Sequence, residues 1–248
     1  MLFVKKKDEI AIMKMAGKIL SQIKKKLIFF LKEGISTGEL DLLANKFIKE
    51  YDVISAFKNY DGFPGYICTS VNDAIVHGVP SDKEILKTGD IITIDLGIKY
   101  QGYFVDAAWT YAIGDIPDKA IKLLKDTQEA LYKGIEQVYP GNRISNISNA
   151  IFKIGILNGY GIIESFSGHG IGKSLHEKPY IFNFNFVEKD YVLVPGMTFC
   201  IEPMFTLGSK EVKILPDGWT AVSKDNSLSA HFEHTILVTD QGYEILTL

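Results

Sequence analysis

The 248-residue chain has little cysteine, almost no arginine and no long apolar run. Its two cysteines, Cys68 and Cys200, cannot build a disulfide framework, so a reducing compartment is expected. Arg143 is the only arginine, and the formal net charge of -3 argues against binding of nucleic acid through overall positive charge. The apolar run at residues 27–31 is far too short to span a membrane. Charged residues at 5–9 stand where a signal peptide needs its apolar core, which predicts a cytoplasmic protein.

What the chain does have is the composition of an ordinary globular protein, with 46% hydrophobic and 23% charged residues. Its length suffices for one large domain or two small ones. No linker rich in serine, proline or glycine divides the sequence, and there is no low-complexity tract. We therefore expect a single domain over residues 1–248.

Two helices are predicted within positions 1–50, and the same layout returns later. Apolar residues recur at helical spacing from Ile10, Gly34 is predicted to end this helix, and a second helix follows Ser36. When the sequence is aligned with itself at an offset of 107 (141 − 34), Gly34 matches Gly141 and apolar helix positions of the two halves also match. This repeat predicts a duplicated helix–helix–strand unit with pseudo-twofold symmetry.

Short runs of β-branched or aromatic residues predict strands at 91–96, 102–106, 197–202 and 234–239. Acid and imidazole side chains on or near these runs form a candidate metal site, which consists of Asp95, Asp106, His169, Glu202 and Glu233. Most of them lie on or beside a predicted strand, whereas His169 lies in a glycine-rich stretch. Rigid strands are suitable supports for a metal site.

The two aspartates are the starting point of this interpretation. Asp95 and Asp106 are flanked by apolar residues, and a turn near residues 99–102 would bring them face to face. A lone aspartate is usually a surface residue and a lone histidine usually a core residue. Buried carboxylates, however, are costly unless a partner neutralises them, and two divalent cations would neutralise four carboxylates at once.

The donor types limit the metal and the chemistry. Carboxylates with one imidazole suit Mn²⁺, Fe²⁺, Co²⁺ or Zn²⁺, and the sequence does not distinguish among these ions. Two ions about 3.5–4 Å apart can bridge a hydroxide and polarise a carbonyl, as aminopeptidases and phosphatases do. Spacing alone does not separate these two reactions.

The motifs that carry these residues resemble those of methionine aminopeptidases of the bacterial type (type I), over essentially the whole chain. The matching stretches are residues 71–79, 94–97, 103–106, 167–172, 175–178, 201–204 and 232–236. The resemblance implies a pita-bread fold of class α+β, in which helices cover an antiparallel sheet and the two halves are duplicated. It further implies that the enzyme removes the N-terminal methionine of nascent proteins whose second residue is small.

The resemblance also implies a role for each candidate ligand. Asp95 would bind one of two metal ions, Asp106 and Glu233 would bridge both, and His169 and Glu202 would complete the shell of the other ion. A metal-bound water or hydroxide would attack the first peptide bond. Glu202 would also shuttle a proton.

Two further histidines match family residues that are not ligands. By resemblance His176 contacts the scissile amide and stabilises the transition state, and His77 helps to handle the substrate amine or the leaving group. Without the resemblance, each would be interpreted as a structural histidine. The side chain of the substrate methionine would contact Tyr60, Phe63, Cys68 and Trp219. The departures from the family pattern are Phe57, Leu175 (often Phe) and His231 (often Gln), and they put the shape of the pocket in question.

Three alternatives share this fold. A prolidase or X-Pro aminopeptidase usually carries a sizeable N-terminal domain, for which the short stretch before the core leaves little room. A non-catalytic pita-bread binding protein would typically have lost metal ligands. The type II methionine aminopeptidases insert helices between the positions equivalent to His176 and Glu202. Here these two residues are only 26 positions apart (202 − 176), which leaves no room for that insertion.

Partners follow from the same resemblance. Segment 208–224 looks like a hairpin and carries Lys210, Lys213 and Lys224, which could contact rRNA phosphates at the ribosomal tunnel exit. A solvated surface is an equally good interpretation of these lysines. The family expectation is a monomer that does not associate with a membrane.

Overall fold

The computed structural model describes residues 4–186 and 189–248. Its α-helices are α1 (Lys7–Ile28), α2 (Thr37–Glu50), α3 (Asp118–Ile135) and α4 (Ile144–Asn158). Its strands are β1 (Ile54–Ser55), β2 (Cys68–Val71), β3 (Ala74–Val76), β4 (Ile91–Tyr100), β5 (Tyr103–Ala112), β6 (Gly161–Ile162), β7 (Gly168–Gly170), β8 (Glu177–Ile181), β9 (Thr198–Ile201), β10 (Met204–Thr206), β11 (Val212–Ile214), β12 (Ala221–Ser223), β13 (Ser229–His231), β14 (His234–Thr239) and β15 (Gly242–Ile245). The fold is therefore α+β, as predicted.

Helix α1 forms because one of its faces is apolar at helical spacing. Met13, Leu20 and Ile23 on this face are fully buried, and the helix packs against β4 and β5. Burying each such side chain stabilises the fold by about 1.5–3 kcal/mol. The prediction that Gly34 ends this helix is wrong, because α1 already ends at Ile28. Gly34 has φ of 89° and forms the turn that leads into α2.

The start of α2 is specified by a capping box. The Ser36 hydroxyl accepts a hydrogen bond from the Glu39 backbone N–H, and the Glu39 carboxylate accepts one from the Ser36 backbone N–H. Two backbone donors that the helix cannot satisfy itself thereby gain partners.

The internal duplication predicted from the sequence is confirmed by the positions of the elements. The starts of α2 and α4 differ by the predicted offset (144 − 37 = 107), and so do those of β1 and β6, and of β4 and β9. The backbone bridge between Ser36 and Ile85 recurs as a bridge between Arg143 and Val192 at the same shift. Both partners of this bridge recur at the same shift, so the two halves share backbone contacts as well as the order of their elements.

Every strand pairing among the described residues is antiparallel, and the strands form four sheets. The first sheet is built on the long hairpin of β4 and β5, with β1 and β2 beside β4. The largest sheet has the order β15-β14-β9-β7-β8, which leaves β8 at an edge. Hydrogen bonds join the two sheets, because the Asp106 backbone N–H on β5 donates to the Thr235 hydroxyl on β14 at 2.9 Å, and the Glu233 N–H just before β14 donates to the Ala108 carbonyl on β5 at 2.8 Å. Within the described residues no helix is long and apolar enough to cross a membrane.

Candidate metal centre

The five predicted ligands come from both halves of the fold. Asp95 lies on β4, Asp106 on β5 and His169 on β7, while Glu202 directly follows β9 and Glu233 lies between β13 and β14. Asp95 and Glu202 are separated by the same offset (202 − 95 = 107), so they occupy equivalent positions in the duplicated halves. This equivalence is a sequence signal that would have strengthened the prediction.

The hairpin register corrects one detail of the prediction. Asp106 stands opposite Gly97, and Asp95 stands opposite Ala108, so the two aspartates are diagonal neighbours rather than directly opposed. Diagonal residues still lie on the same face of the sheet and remain within reach of each other. The β5 backbone is anchored here, because the Asp106 N–H donates to the Thr235 hydroxyl at 2.9 Å and that hydroxyl donates to the Asp106 carbonyl at 2.8 Å.

Two overlapping groups of donor atoms define the centre. One carboxylate oxygen from each of Asp95, Asp106 and Glu233 lies within 4.8 Å of the others. Glu233 also belongs to a second group within 4.8 Å, together with His169 and Cys200, and a Glu202 oxygen lies 3.6 Å from His169 Nε2. A carboxylate shared by two groups is the arrangement that a bridging ligand requires.

The carboxylates are buried without enough protein partners. Asp95 Oδ1, Asp106 Oδ1 and Glu233 Oε1 are buried and have no hydrogen-bond partner among the described residues. Burial raises the pKa of Asp95 well above its usual value, and the Asp106 charge raises it further. Burial also raises the pKa of Asp106 to about 7 and that of Glu202 well above its usual range. These unsatisfied oxygens in a carboxylate-rich set fit hard or borderline divalent cations.

His169 is suited to be a neutral nitrogen ligand. Burial lowers its pKa to about 3, so the imidazole ring is uncharged near neutral pH. Its Nδ1 lies 3.0 Å from the Gly170 carbonyl oxygen, which leaves Nε2 on the side of Glu202. A second ring nitrogen held by a backbone carbonyl is the usual way to orient a metal-binding histidine.

Cys200 lies beside the centre. Sequence reasoning did not identify this residue as part of the site. Burial raises the pKa of its thiol well above the usual value, so Cys200 borders the carboxylates as a protonated, apolar group. Its position two residues before Glu202 on an extended segment was the available signal, because side chains two apart share a face.

The centre opens into a cavity of about 320 Å³ that contains every predicted site residue. Its lining includes the five predicted ligands, the histidines His77 and His176, and the predicted pocket residues Tyr60, Phe63, Cys68 and Trp219. The rings of Phe63 and Trp219 meet edge to face with centroids 5.3 Å apart. Tyr180 and Asp61 also line the cavity and were missed by sequence reasoning.

His176 is positioned by two neighbours. Its ring centroid lies 4.3 Å from that of His169, and its Nδ1 lies 2.8 Å from the Tyr60 hydroxyl. Burial lowers the pKa of His176, and the charge of Asp61 opposes this effect. When the tyrosine hydroxyl donates to Nδ1, the proton of the neutral ring lies on Nε2, which becomes a hydrogen-bond donor.

His77 is held in a strained backbone conformation beside two aromatic rings. It has φ of 60°, which is uncommon for a residue other than glycine, and such strain is often found at functional sites. Its ring packs edge to face against Phe166, with centroids 5.3 Å apart, and against Trp219 at 6.4 Å. Burial lowers its pKa to about 4, so the ring is uncharged at neutral pH and can accept a hydrogen bond.

The three departures from the family pattern have distinct positions. Phe57 lines the cavity, and Gly97 makes room for it, since a Cβ at Gly97 would lie 2.8 Å from Phe57 Cε1. Leu175 is buried in the cavity wall. His231 does not line the cavity but is buried behind Glu202, with Nε2 3.8 Å from a Glu202 oxygen.

A four-carboxylate centre with one imidazole, buried where two duplicated halves meet, is characteristic of a metal-dependent hydrolase. The chain belongs to metallopeptidase family M24, whose family model matches residues 11–240, and within that family to the methionine aminopeptidases.

The relatives support this narrower assignment. The chain is 47% identical to methionine aminopeptidase 1 of Bacillus subtilis, over 100% of this chain and 99% of the relative. It is 40% identical to the methionine aminopeptidase of Escherichia coli K12, over 99% and 93%. Its structure is similar to that of methionine aminopeptidase from Rickettsia prowazekii, with a TM-score of 0.97, 38% identity and full coverage of both chains. Prolidase from Pyrococcus furiosus is more distant, with a TM-score of 0.77 and 26% identity, and only 65% of it is covered.

Proposed function

We propose that the chain removes the N-terminal methionine from newly made polypeptides by metal-dependent hydrolysis of the first peptide bond. The observation that carries the proposal is the cluster of unsatisfied buried carboxylates at the floor of a cavity with aromatic walls. Divalent ions held by Asp95, Asp106, His169, Glu202 and Glu233 would supply Lewis-acid charge and lower the pKa of water. We propose two ions, because Glu233 lies within 4.8 Å of the Asp95 and Asp106 oxygens on one side and of a His169 nitrogen on the other, where a Glu202 oxygen lies 3.6 Å from His169 Nε2.

The remaining residues bind the substrate and handle its protons. The unbranched thioether of methionine suits a pocket of Phe63, Trp219 and Cys68, because sulfur makes favourable contacts with aromatic rings. His176 Nε2 would donate a hydrogen bond to the oxygen of the scissile carbonyl as negative charge develops there. Glu202, a buried carboxyl group of raised pKa, would pass a proton to the leaving amine, and His77 would contact that amine.

The entrance to the cavity supports a preference for a small second residue. The cavity-lining residues Tyr60, Asp61 and Tyr180 are exposed to solvent and therefore mark its mouth. The hydrogen bond between Tyr60 and His176 joins the mouth to the reaction centre. A bulky second residue would have to displace these groups.

The Tyr60→Phe variant should reduce kcat by about 2–10-fold while KM for methionine peptides changes little. The phenyl ring keeps the cavity wall, but the hydrogen bond to His176 Nδ1, worth about 0.5–1.5 kcal/mol, is lost. Steady-state kinetics on a methionine tripeptide measures both constants. An unchanged kcat would show that this hydrogen bond does not orient His176.

The function is tested by release of free methionine from Met-Gly-Met-Met and from a peptide with proline in second position. Metal-stripped protein should be inactive, and Mn²⁺ or Co²⁺ should restore cleavage of the first peptide bond alone. Cleavage confined to peptides with proline in second position would favour a prolidase. Absence of any cleavage by folded, metal-loaded protein would favour a binding protein.

We further propose that the enzyme docks at the ribosomal tunnel exit through the hairpin of β11 and β12. The three lysines of this region, Lys210, Lys213 and Lys224, are exposed. Lys210 pairs with Glu164 at 2.7 Å and Lys224 with Glu211 at 2.6 Å, so docking would exchange these surface ion pairs for rRNA phosphates.

Changing all three hairpin lysines to Glu should abolish co-sedimentation with ribosomes at low salt and leave tripeptide cleavage unchanged. The matched control changes the exposed lysines Lys46, Lys49 and Lys153, which lie on helices, to Glu. This control alters net charge equally but should keep ribosome binding. Equal binding by both variants would rule out docking through the hairpin.

We also propose that residues 1–248 act as a single catalytic domain, monomeric and cytoplasmic. One continuous hydrophobic cluster supports the single domain, since it includes Leu20 and Leu40 of the first half and Ile147 and Phe199 of the second. Sedimentation of the purified protein would measure its oligomeric state.

A further inference from the structure

A second cavity of about 320 Å³ adjoins the first. The proposed hydrolysis of the first peptide bond does not use it. Tyr180 belongs to the lining of both cavities, so the two spaces meet at this side chain. We name the second cavity the aromatic cleft. Its lining includes Lys178, Tyr180, Phe182, Phe186, Lys189 and Tyr191.

The cleft is built on an alternation of aromatic residues. Tyr180, Phe182, Phe184 and Phe186 follow one another at every second position. The ring of Phe182 lies 5.4 Å from that of Phe184 and 5.3 Å from that of Phe186, so the side chains form one contiguous aromatic surface. Tyr180 is 47% exposed and Phe186 49% exposed. Clustered exposed aromatic side chains of this kind are typical of binding surfaces.

The edge of a sheet leads from the reaction centre to the cleft. Strand β8 begins one residue after His176 and is the edge strand of its sheet. Along it Lys178 and Tyr180 are exposed, while Pro179 and Ile181 are buried. An extended segment advances about 3.3 Å per residue, so Tyr180 lies at most about 14 Å along the chain from His176. A substrate chain leaving the scissile bond covers that distance in about four residues.

We propose that the aromatic cleft is an extended subsite, which binds the fourth to sixth residues of the substrate polypeptide in an extended conformation. This inference rests on the function proposed above. Apolar or aromatic substrate side chains would pack on Phe182 and Phe186, and acidic side chains would be favoured near Lys178 and Lys189. A polypeptide fits better than RNA, because Tyr180 lines both the cleft and the peptide-binding cavity and the chain has a net charge of -3.

The test compares a short substrate with two long ones. The short one is Met-Gly-Met, and the long ones are hexapeptides that begin Met-Gly and carry either Phe or Ser at positions four and five. The wild-type enzyme should show a KM about 3–10-fold lower for the Phe hexapeptide than for the Ser hexapeptide, since one aromatic contact contributes about 0.5–1.5 kcal/mol. The Phe186→Ala variant should lose this difference, with kcat and the KM for Met-Gly-Met unchanged.

Two further variants make the test decisive. Phe29→Ala removes an aromatic side chain that is 84% exposed at the end of α1, and it should keep the wild-type preference. Lys189→Glu changes an exposed residue and should raise KM for a hexapeptide with Asp at positions four and five, but not for one with Lys there. This second variant serves even where loss of Phe186 disturbs folding.

Each contrary outcome has a separate meaning. Equal KM values for the Phe and Ser hexapeptides in wild-type and variant enzymes would overturn the subsite. Competition by a single-stranded oligonucleotide that Phe186→Ala abolishes, without any peptide preference, would also overturn it and would favour RNA. No cleavage of Met-Gly-Met would instead contradict the proposed function itself.

Discussion

Replacing Asp106 by Asn should lower kcat/KM by at least about a thousandfold and, at the same time, stabilise the metal-free protein. Asp106 shares the group of donor atoms with Asp95 and Glu233, so its loss removes one ligand oxygen from the centre. Bound metal contributes several kcal/mol of transition-state stabilisation, and a barrier change of about 1.4 kcal/mol corresponds to tenfold in rate. Without metal, the same substitution relieves the burial of a carboxylate whose Oδ1 has no hydrogen-bond partner within the part of the chain that the structure describes.

The stabilisation of metal-free protein by the Asp106→Asn substitution should grow with pH. The folded-state pKa of Asp106 is raised to about 7 from an ordinary value of 3.8, so between these values the folded state binds more protons than the unfolded state. The contribution of Asp106 to stability is therefore fully present below about pH 4 and is lost as pH rises to about 7. An asparagine at this position would have no such dependence. The Asn variant should match the wild type near pH 4 and exceed it by on the order of 2–4 kcal/mol at pH 7.5.

Urea unfolding of chelator-treated protein at pH 4.5 and 7.5, with and without Mn²⁺, measures both effects. Wild-type protein should be stabilised by Mn²⁺ at pH 7.5, and the Asn variant should be stabilised much less. Asp126→Asn is the matched control, because Asp126 is a buried aspartate outside the centre that pairs with Lys122 and Tyr160. This control should have a lower free energy of unfolding than the wild type at pH 7.5. Mn²⁺ should nevertheless stabilise it as much as it stabilises the wild type. A full response of the Asp106→Asn variant to Mn²⁺ would remove Asp106 from the ligand set.

Replacing His176 by Ala should lower kcat by about 10²–10³-fold without loss of metal. A donor aimed at the developing oxyanion contributes about this much, and His176 touches the ligand His169 only through ring contact. Metal content after dialysis and the stabilisation by Mn²⁺ should equal those of the wild type. The effect should exceed that of Tyr60→Phe, which leaves the imidazole in place.

The variant His176→Gln separates hydrogen bonding from a structural role. Its side-chain amide can donate a hydrogen bond, so it should recover part of the kcat lost in His176→Ala. Equal kcat values for the Ala and Gln variants would indicate that His176 supports the cavity wall rather than the transition state. Loss of metal from either variant would place His176 in the binding of the ions.

The sequence alone determined the family, the fold class and the set of residues that the structure gathers in one cavity. Asp95 and Asp106 were recognisable because apolar residues flank each of them, which predicts burial, and a buried carboxylate needs a neutralising partner. The duplication was recognisable from Gly34 and Gly141, since turns with positive φ favour glycine in both halves. The end of α1 was misplaced because the chain leaves the helix at Ile28, well before that first glycine.

The way in which these residues meet depends on tertiary contacts. The register that places Asp106 opposite Gly97 follows from the tight turn between Tyr100 and Tyr103, whereas the backbone bond from Glu233 to Ala108 joins segments far apart in the sequence. The position of Tyr180 at the junction of two cavities depends on the same kind of contact. Local periodicity specifies which face of a strand is buried and a tight turn sets the register of a hairpin, whereas the pairing of strands far apart in the sequence follows from packing of the whole chain. Residue types therefore indicated a metal-dependent hydrolase, the resemblance of the motifs indicated a metallopeptidase, and the packing of the strands and the loops that join them determined the geometry of its site.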